Sequence, residues 1–315
     1  MIDVRDVSRS FGRLVALDHV SFRVEPGEIV ALLGPNGAGK TTASRIIAGI
    51  LAPSQGEVLV DGISVTTDPG SVRVRCGMVT DQPSLYERMT LRAYLTFFGH
   101  LYDVAAADRR TEELAELLGL SDRLDVRLGA FSRGMKQKVA IARGLVHDPP
   151  VLLLDEPATA LDPETARSLR AFIVSLRARH RAILLCTHDL DEAQRIADRV
   201  VVLYRGRVVR SGLTGDLRAE AHPRFVVAFT GDAASARDAL ARAGVSGQPA
   251  KAENGYNALR FDTDEPGTTN PAVLRALLDS GVHVITLARE ERSLEDAYFA
   301  IVAEAQKPES GKVDG

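Results

Sequence analysis

The sequence predicts an α/β protein, with an antiparallel β subdomain and a helical subdomain attached to its core and a small α+β domain following at the C-terminal end. Three observations predict it. The runs Ile29-Val30-Ala31-Leu32-Leu33, Val151-Leu152-Leu153-Leu154 and residues 182–186 are continuously apolar and strand-sized, as strands buried on both faces are. Alternation in Ile2-Asp3-Val4-Arg5-Asp6-Val7 and Val20-Ser21-Phe22-Arg23-Val24 suggests half-buried antiparallel strands instead. Beyond Pro223 the pattern reads β-α-β-α-β-α, the order of a small sheet with helices on one face.

The elements follow in order. Pro26-Gly27-Glu28 is a turn leading into the run at 29–33, and residues 41–50 read as a helix. Residues 56–65 look like a strand pair and 77–80 like one short strand. From about 90 to 147 the spacing turns helical, with Leu91, Tyr94, Leu95 and Phe98 on one stripe and Leu114, Leu117 and Leu118 on another. The buried strands at 151–154 and 182–186 flank a helix at 163–179. A short helix at 191–197 and a hairpin around Gly206 complete the part ending near residue 215. In the accessory domain, 222–305, strands fall at 225–230, 258–261 and 282–287, and helices at 234–243, 272–278 and 294–305. The polar stretch 306–315 is expected to be a loose tail.

At 315 residues the chain has room for about two domains. Its 45% apolar and 26% charged content is that of a soluble globular protein. A net charge of −3 gives no global footprint for nucleic acid, which is not expected as a partner. No stretch approaches the ~20 apolar residues of a spanning helix, and the start lacks a signal peptide's apolar centre. Cys76 and Cys186 each lie in an apolar segment and read as small buried hydrophobes of a reducing compartment. No histidine or cysteine cluster has metal-ligand spacing, so zinc is not expected.

The strongest chemical signal is Gly34-Pro35-Asn36-Gly37-Ala38-Gly39-Lys40-Thr41-Thr42, directly after one buried strand and opening a helix. Glycines let the backbone wrap a phosphate with successive N–H groups pointing inward. Lys40 reaches the terminal phosphates, the Thr41 hydroxyl coordinates Mg²⁺, and the helix adds its positive end. This defines a P-loop NTPase core that binds ATP with Mg²⁺. Next is Val151-Leu152-Leu153-Leu154-Asp155-Glu156-Pro157, a buried strand whose tip carries two carboxylates. Strand tips are where open α/β sheets bind ligands. Asp155 is expected to support the Mg²⁺, and Glu156 to orient or deprotonate the attacking water. His188 ends the neighbouring buried strand, within reach of a γ-phosphate; a solvated or structural role is the plainer alternative.

With these motifs in this order, residues 1 to about 215 resemble the ATP-binding subunit of an ABC transporter. The resemblance makes Gln82, in Thr80-Asp81-Gln82-Pro83, the residue that bridges Mg²⁺, the attacking water and the membrane subunit. It makes Phe131-Ser132-Arg133-Gly134-Met135-Lys136-Gln137 the family signature, Ala160-Leu161-Asp162 the D-loop and His188 the residue touching the γ-phosphate. Phe11 falls where the family stacks an aromatic on adenine, a plain core role being the alternative. Arg133 and Met135 depart from the commonest signature, while Ser132 and Gly134 persist. A hydroxyl and an approachable N–H at a helix start can bind phosphate. Arg133 either touches the nucleotide or faces solvent. The variant is similar to that of exporters of the ABC-2 type, which includes antibiotic-resistance pumps.

The resemblance implies a head-to-tail homodimer with two sandwiched nucleotides, and integral membrane permease subunits as separate chains. The ATPase would then sit peripherally on the cytoplasmic face of the cell membrane. A soluble ABC ATPase acting on ribosomes or DNA is the second reading, but neither a doubled motif set nor a long coiled coil is present. A P-loop kinase would have no use for the signature.

Overall fold

The computed structural model describes residues 1–82, 84–219, 223–250, 255–290 and 292–306. They form two compact units, Met1–Thr214 together with the segment from Ile301, and Gly215–Ala300.

Strands β1 (Ile2–Phe11) and β2 (Leu14–Val24) form a hairpin, followed by β3 (Ile29–Leu33), α1 (Lys40–Ile47), β4 (Gln55–Val60) and β5 (Ile63–Ser64). Then come α2 (Pro69–Arg75), β6 (Cys76–Val79), α3 (Leu91–Leu101), α4 (Ala107–Leu117) and α5 (Arg133–Leu145). The unit continues with β7 (Val151–Asp155), α6 (Pro163–Leu176), β8 (Ala182–Thr187), α7 (Leu190–Ile196), β9 (Arg199–Tyr204) and β10 (Arg207–Leu213). Two sheets result. One is antiparallel, in the order β2-β1-β4-β5; the other runs β10-β9-β3-β8-β7-β6 and is parallel except at β9/β10.

The burial pattern explains this arrangement. Every residue of β3, β7 and β8 is buried, so these strands need cover on both faces. On one face, Val30, Leu32, Leu153, Leu184 and Val201 share an apolar cluster with Ala43, Ile46 and Ile47 of α1 and with Ile2, Val4, Val20 and Val58 of the antiparallel sheet. Helices α5 and α7 pack on the core strands, with α6 against both of them. Leu184 lies in β8, between β3 and β7, and is fully buried. Leu184→Ala is therefore expected to cost about 2–5 kcal/mol, because it removes buried apolar atoms from a strand enclosed on both sides. Urea unfolding with an unshifted midpoint would contradict the packing.

Helices α3 and α4 pack together and against α5, burying Leu91, Tyr94, Leu95, Leu114 and Leu118. The Arg143 guanidinium donates to the Tyr94 hydroxyl at 3.1 Å. Helix α2 escapes sequence periodicity because Val72 is its one buried residue, although the Asp68 cap before Pro69 is a proper start signal.

After α8 (Thr214–Ala219), the second unit holds β11 (Arg224–Thr230), α9 (Ala233–Arg242), β12 (Gln248–Pro249), β13 (Asn257–Asp262), α10 (Pro266–Asp279), β14 (His283–Glu290) and α11 (Leu294–Gln306) up to Ala300. Its sheet is antiparallel, ordered β12-β13-β11-β14. Val227, Phe229 and Phe261 pack with Ala236 and Leu240 of α9 and Val273 and Leu277 of α10.

Two expectations change. Helix α10 starts at Pro266, not at 272, because Pro266 occupies the first helical position and Pro271 is tolerated in the second turn. The compact unit also stops at Ala300, short of the expected end at 305, since Leu294 and Ala297 are the buried residues of α11 and both lie in its first turn. The expected tail lies, from residue 307 on, outside the described residues.

Candidate nucleotide-binding and hydrolysis site

The tips of β3, β7 and β8 converge because the sheet order makes β8 the neighbour of both others. The loop after β3 borders a cleft of about 350 Å³, lined by Phe11, Leu14, Val15, Ala16, residues 35–42, Asp81, Asp155 and Glu156. Two glycines of the loop are required by geometry. Gly39 has φ +110°, and a Cβ there would lie 2.5 Å from the Ala16 carbonyl oxygen. A Cβ on Gly34 would lie 2.3 Å from the Leu203 carbonyl oxygen. Helix α1 begins at Lys40 with no side-chain cap, so its first N–H groups remain available to an anion.

Lys40 is buried, and its Nζ donates to the carbonyls of Gly34 at 2.6 Å and Pro35 at 3.3 Å. The ammonium is thereby held over the loop it closes. The Thr41 hydroxyl donates to Asp155 Oδ2 at 3.0 Å. Burial pushes the Asp155 pKa up; the Thr41 hydrogen bond opposes this, the charges of Glu156 and Asp81 add to it, and Lys40 opposes it. A cluster of carboxylates beside hydroxyl oxygen fits a hard divalent cation. Thr41 and Asp155 are only two such donors, which suits Mg²⁺, an ion that keeps waters and takes phosphate oxygens.

Glu156 has φ +51°, a left-handed conformation that costs a non-glycine residue about 1–3 kcal/mol. Its carboxylate is correspondingly well held. Oε1 accepts from the His188 backbone N–H at 3.1 Å and pairs with His188 Nδ1 at 2.7 Å. Oε2 accepts from the hydroxyls of Thr159 at 3.0 Å and Thr187 at 3.3 Å. His188 is 56% exposed at its side chain, so the pair opens onto solvent. A carboxylate so placed can orient a water and take its proton.

The structure sorts the sequence-based site residues into two groups. Phe11, Pro35, Asn36, Gly37, Ala38, Gly39, Lys40, Thr41, Thr42, Asp155 and Glu156 line one cleft, with Gly34 beneath Lys40 and His188 on Glu156. Phe11 is 45% exposed with the Arg9 guanidinium 4.7 Å from its ring centre, so it is not a core residue. Gln82, Ser132 and Gly134 do not line that cleft. Gln82 is exposed, its N–H donating to Asp81 Oδ1 at 2.9 Å, and Asp81 lines the cleft in its place. Ser132 caps α5, accepting from the Met135 N–H at 3.3 Å. Gly134 presses against α6, where a Cβ would meet Thr165 Cγ2 at 2.6 Å.

Sequence reasoning missed Asp81, Thr159 and Thr187. A carboxylate next to Gln82 was visible; the two threonines carry no sequence signal, because only the fold turns them toward Glu156.

A phosphate loop ahead of a buried carboxylate-tipped strand, in a sheet of this order, defines an ATPase of the P-loop class. Residues 17–159 match the family described as ABC transporter. The ABC transporter ATP-binding protein NatA of Bacillus subtilis is 41% identical over 219 residues, spanning 67% of this chain and 89% of NatA. Nod factor export ATP-binding protein I of Paraburkholderia xenovorans is 38% identical over 243 residues, 76% of this chain and 80% of that protein. Among solved structures, an ATP-binding subunit of an ABC transporter superposes with TM-score 0.64 at 35% identity, covering 70% of this chain and 92% of its own. The dimeric cassette MJ0796 bound to ADP and Pi gives TM-score 0.62 at 26% identity, covering 68% and 99%. This chain belongs to the ABC transporter family as an ATP-binding subunit, and it hydrolyses ATP.

Proposed function

We propose that the chain is the motor of an exporter, in which two copies pair head to tail and clamp two Mg-ATP between them. The observation that carries this reading is the separation of the two motif groups. Ser132 and Gly134 lie off the cleft that Lys40, Thr41, Asp155 and Glu156 border, so a signature facing that cleft would come from a second copy. A dimeric neighbour with ADP and Pi supports it.

In this reading Phe11 stacks on adenine, Gly34 to Thr42 cradle the phosphates, and Lys40 offsets their charge. Thr41 and Asp155 would hold Mg²⁺, which when bound spreads charge over the phosphate oxygens. Glu156 orients the attacking water and takes its proton, and His188 holds Glu156 and meets the γ-phosphate. Ser132 and the Gly134 N–H of the second copy complete the phosphate's surroundings.

Export is supported by the names of two relatives, Nod factor export ATP-binding protein I and the probable multidrug ABC transporter ATP-binding protein YbhF of Escherichia coli, 35% identical over 222 residues. The chain covers 38% of YbhF. Among the described residues no helix is long and apolar enough to cross a membrane. In this reading permease subunits carry out translocation, as in the ABC transporter family, and this chain sits on the cytoplasmic face. A groove of about 290 Å³ supports such a partner: Ile50, Thr80, Phe98, Tyr102 and Arg143 line it, and half-exposed Tyr86 and Phe97 adjoin Phe98. The unit 215–300 has no assigned chemistry and is proposed as an accessory domain.

Mixing two inactive variants tests the pairing. Lys40→Ala spoils the phosphate loop and Ser132→Arg the signature, so each alone is expected to be inactive. A mixed dimer keeps one intact site, and random pairing should restore about a quarter of parental ATPase activity. Mixtures that stay inactive would argue that each chain completes its own site.

A further inference from the structure

A tight turn follows Glu156. The Thr159 N–H donates to the Glu156 carbonyl at 3.3 Å, and the Leu161 N–H donates to the Ala158 carbonyl at 3.3 Å. Two non-glycine residues of this short segment are left-handed, Glu156 at φ +51° and Ala160 at φ +56°. Such conformations are costly and persist only where the surroundings over-determine them. The far end is fixed as well, since Asp162 Oδ1 accepts from the Thr165 N–H at 2.9 Å and caps α6. The turn is thus anchored to β7 on one side and to α6 on the other.

One side chain of the turn reaches back to its first residue. The Thr159 hydroxyl donates to Glu156 Oε2 at 3.0 Å. Thr187, the other donor on that oxygen, is fully buried in β8 and lies further off, at 3.3 Å. Oε1 is held by His188 alone, through its N–H and its ring. In the reading above that ring also meets the γ-phosphate, so it is not reserved for the carboxylate. The last torsion of a glutamate side chain is intrinsically broad, so donors must set the plane of the carboxylate. The shorter hydroxyl contact on Oε2 comes from Thr159, which is exposed and contributes no core packing.

We propose that Thr159 is a positioning residue for Glu156, its hydroxyl setting the plane of the carboxylate that handles the attacking water. This rests on the role given to Glu156 above.

Steady-state ATPase of the full chain tests it. Thr159→Val keeps the shape and removes the donor; it should lower kcat about tenfold and leave KM for ATP within about twofold. Thr159→Ala should show the same loss, and it decides in place of the Val variant should that variant not fold. Thr159→Ser keeps the hydroxyl and should hold kcat within about twofold of the parent. A side chain that only shapes the turn would not follow the hydroxyl in this way. In a Glu156→Gln background, Thr159→Val should change the residual rate by less than about twofold, because the group it positions can no longer take a proton. Parental kcat in folded Val or Ala variants overturns the proposal, as does a Ser variant as slow as they are. Parental turnover by Glu156→Gln would remove the role of Glu156 itself; an inactive Glu156→Gln beside a fully active Thr159→Val would remove only the positioning.

Discussion

Replacing Lys40 by Ala is expected to weaken ATP binding and reduce turnover to background. The ammonium is buried and fixed over the phosphate loop by two backbone carbonyls, so it meets a phosphate without ordering cost. A charge-assisted contact of this kind contributes roughly 2–3 kcal/mol, a factor of about 30 to 150 in affinity. Turnover suffers further, because charge on the transferred phosphoryl group is what the site must stabilise. Binding by fluorescent nucleotide titration and phosphate release would check both parts. Undiminished release would sink the assignment of the loop. Thermal unfolding of the variant separates this from a folding defect, since the loss leaves the Gly34 carbonyl without its donor.

Glu156→Gln should have the second-largest effect, of a different kind. The amide keeps the shape of the side chain but cannot take a proton, so turnover is expected to fall about 10²- to 10⁴-fold. Nucleotide binding should survive, because the phosphate loop, Lys40 and Thr41 are untouched. ATP-bound dimers should therefore accumulate, and gel filtration with ATP should shift to the dimer volume. Elution only as a monomer would count against the sandwiched pair. Together the two variants separate binding from hydrolysis.

These predictions depend on features with different origins. The three buried strands were legible because their apolar runs are local. The phosphate loop was legible because Gly34 and Gly39 have no Cβ to fit, and their spacing survives in one dimension. The cap at Ser132 and the carboxylates at the tip of β7 were legible for the same reason. Helix α2 was not, since one buried residue in seven makes no periodic signal.

The site's inner contacts belong to the tertiary structure. Glu156 meets Thr187 and His188 because β7 pairs with β8, Asp155 opposite Cys186, across some thirty residues of chain. Register places those side chains together, and no local pattern encodes register between distant strands. The same holds for Asp81, which the cleft takes in place of its neighbour Gln82. The sequence by itself determined that this chain wraps a nucleotide phosphate and presents a carboxylate beside it, because both needs are written in adjacent residues. Only the tertiary structure decided which groups hold that carboxylate and which motifs stay off the cleft, because burial and hydrogen bonding are properties of neighbours in space.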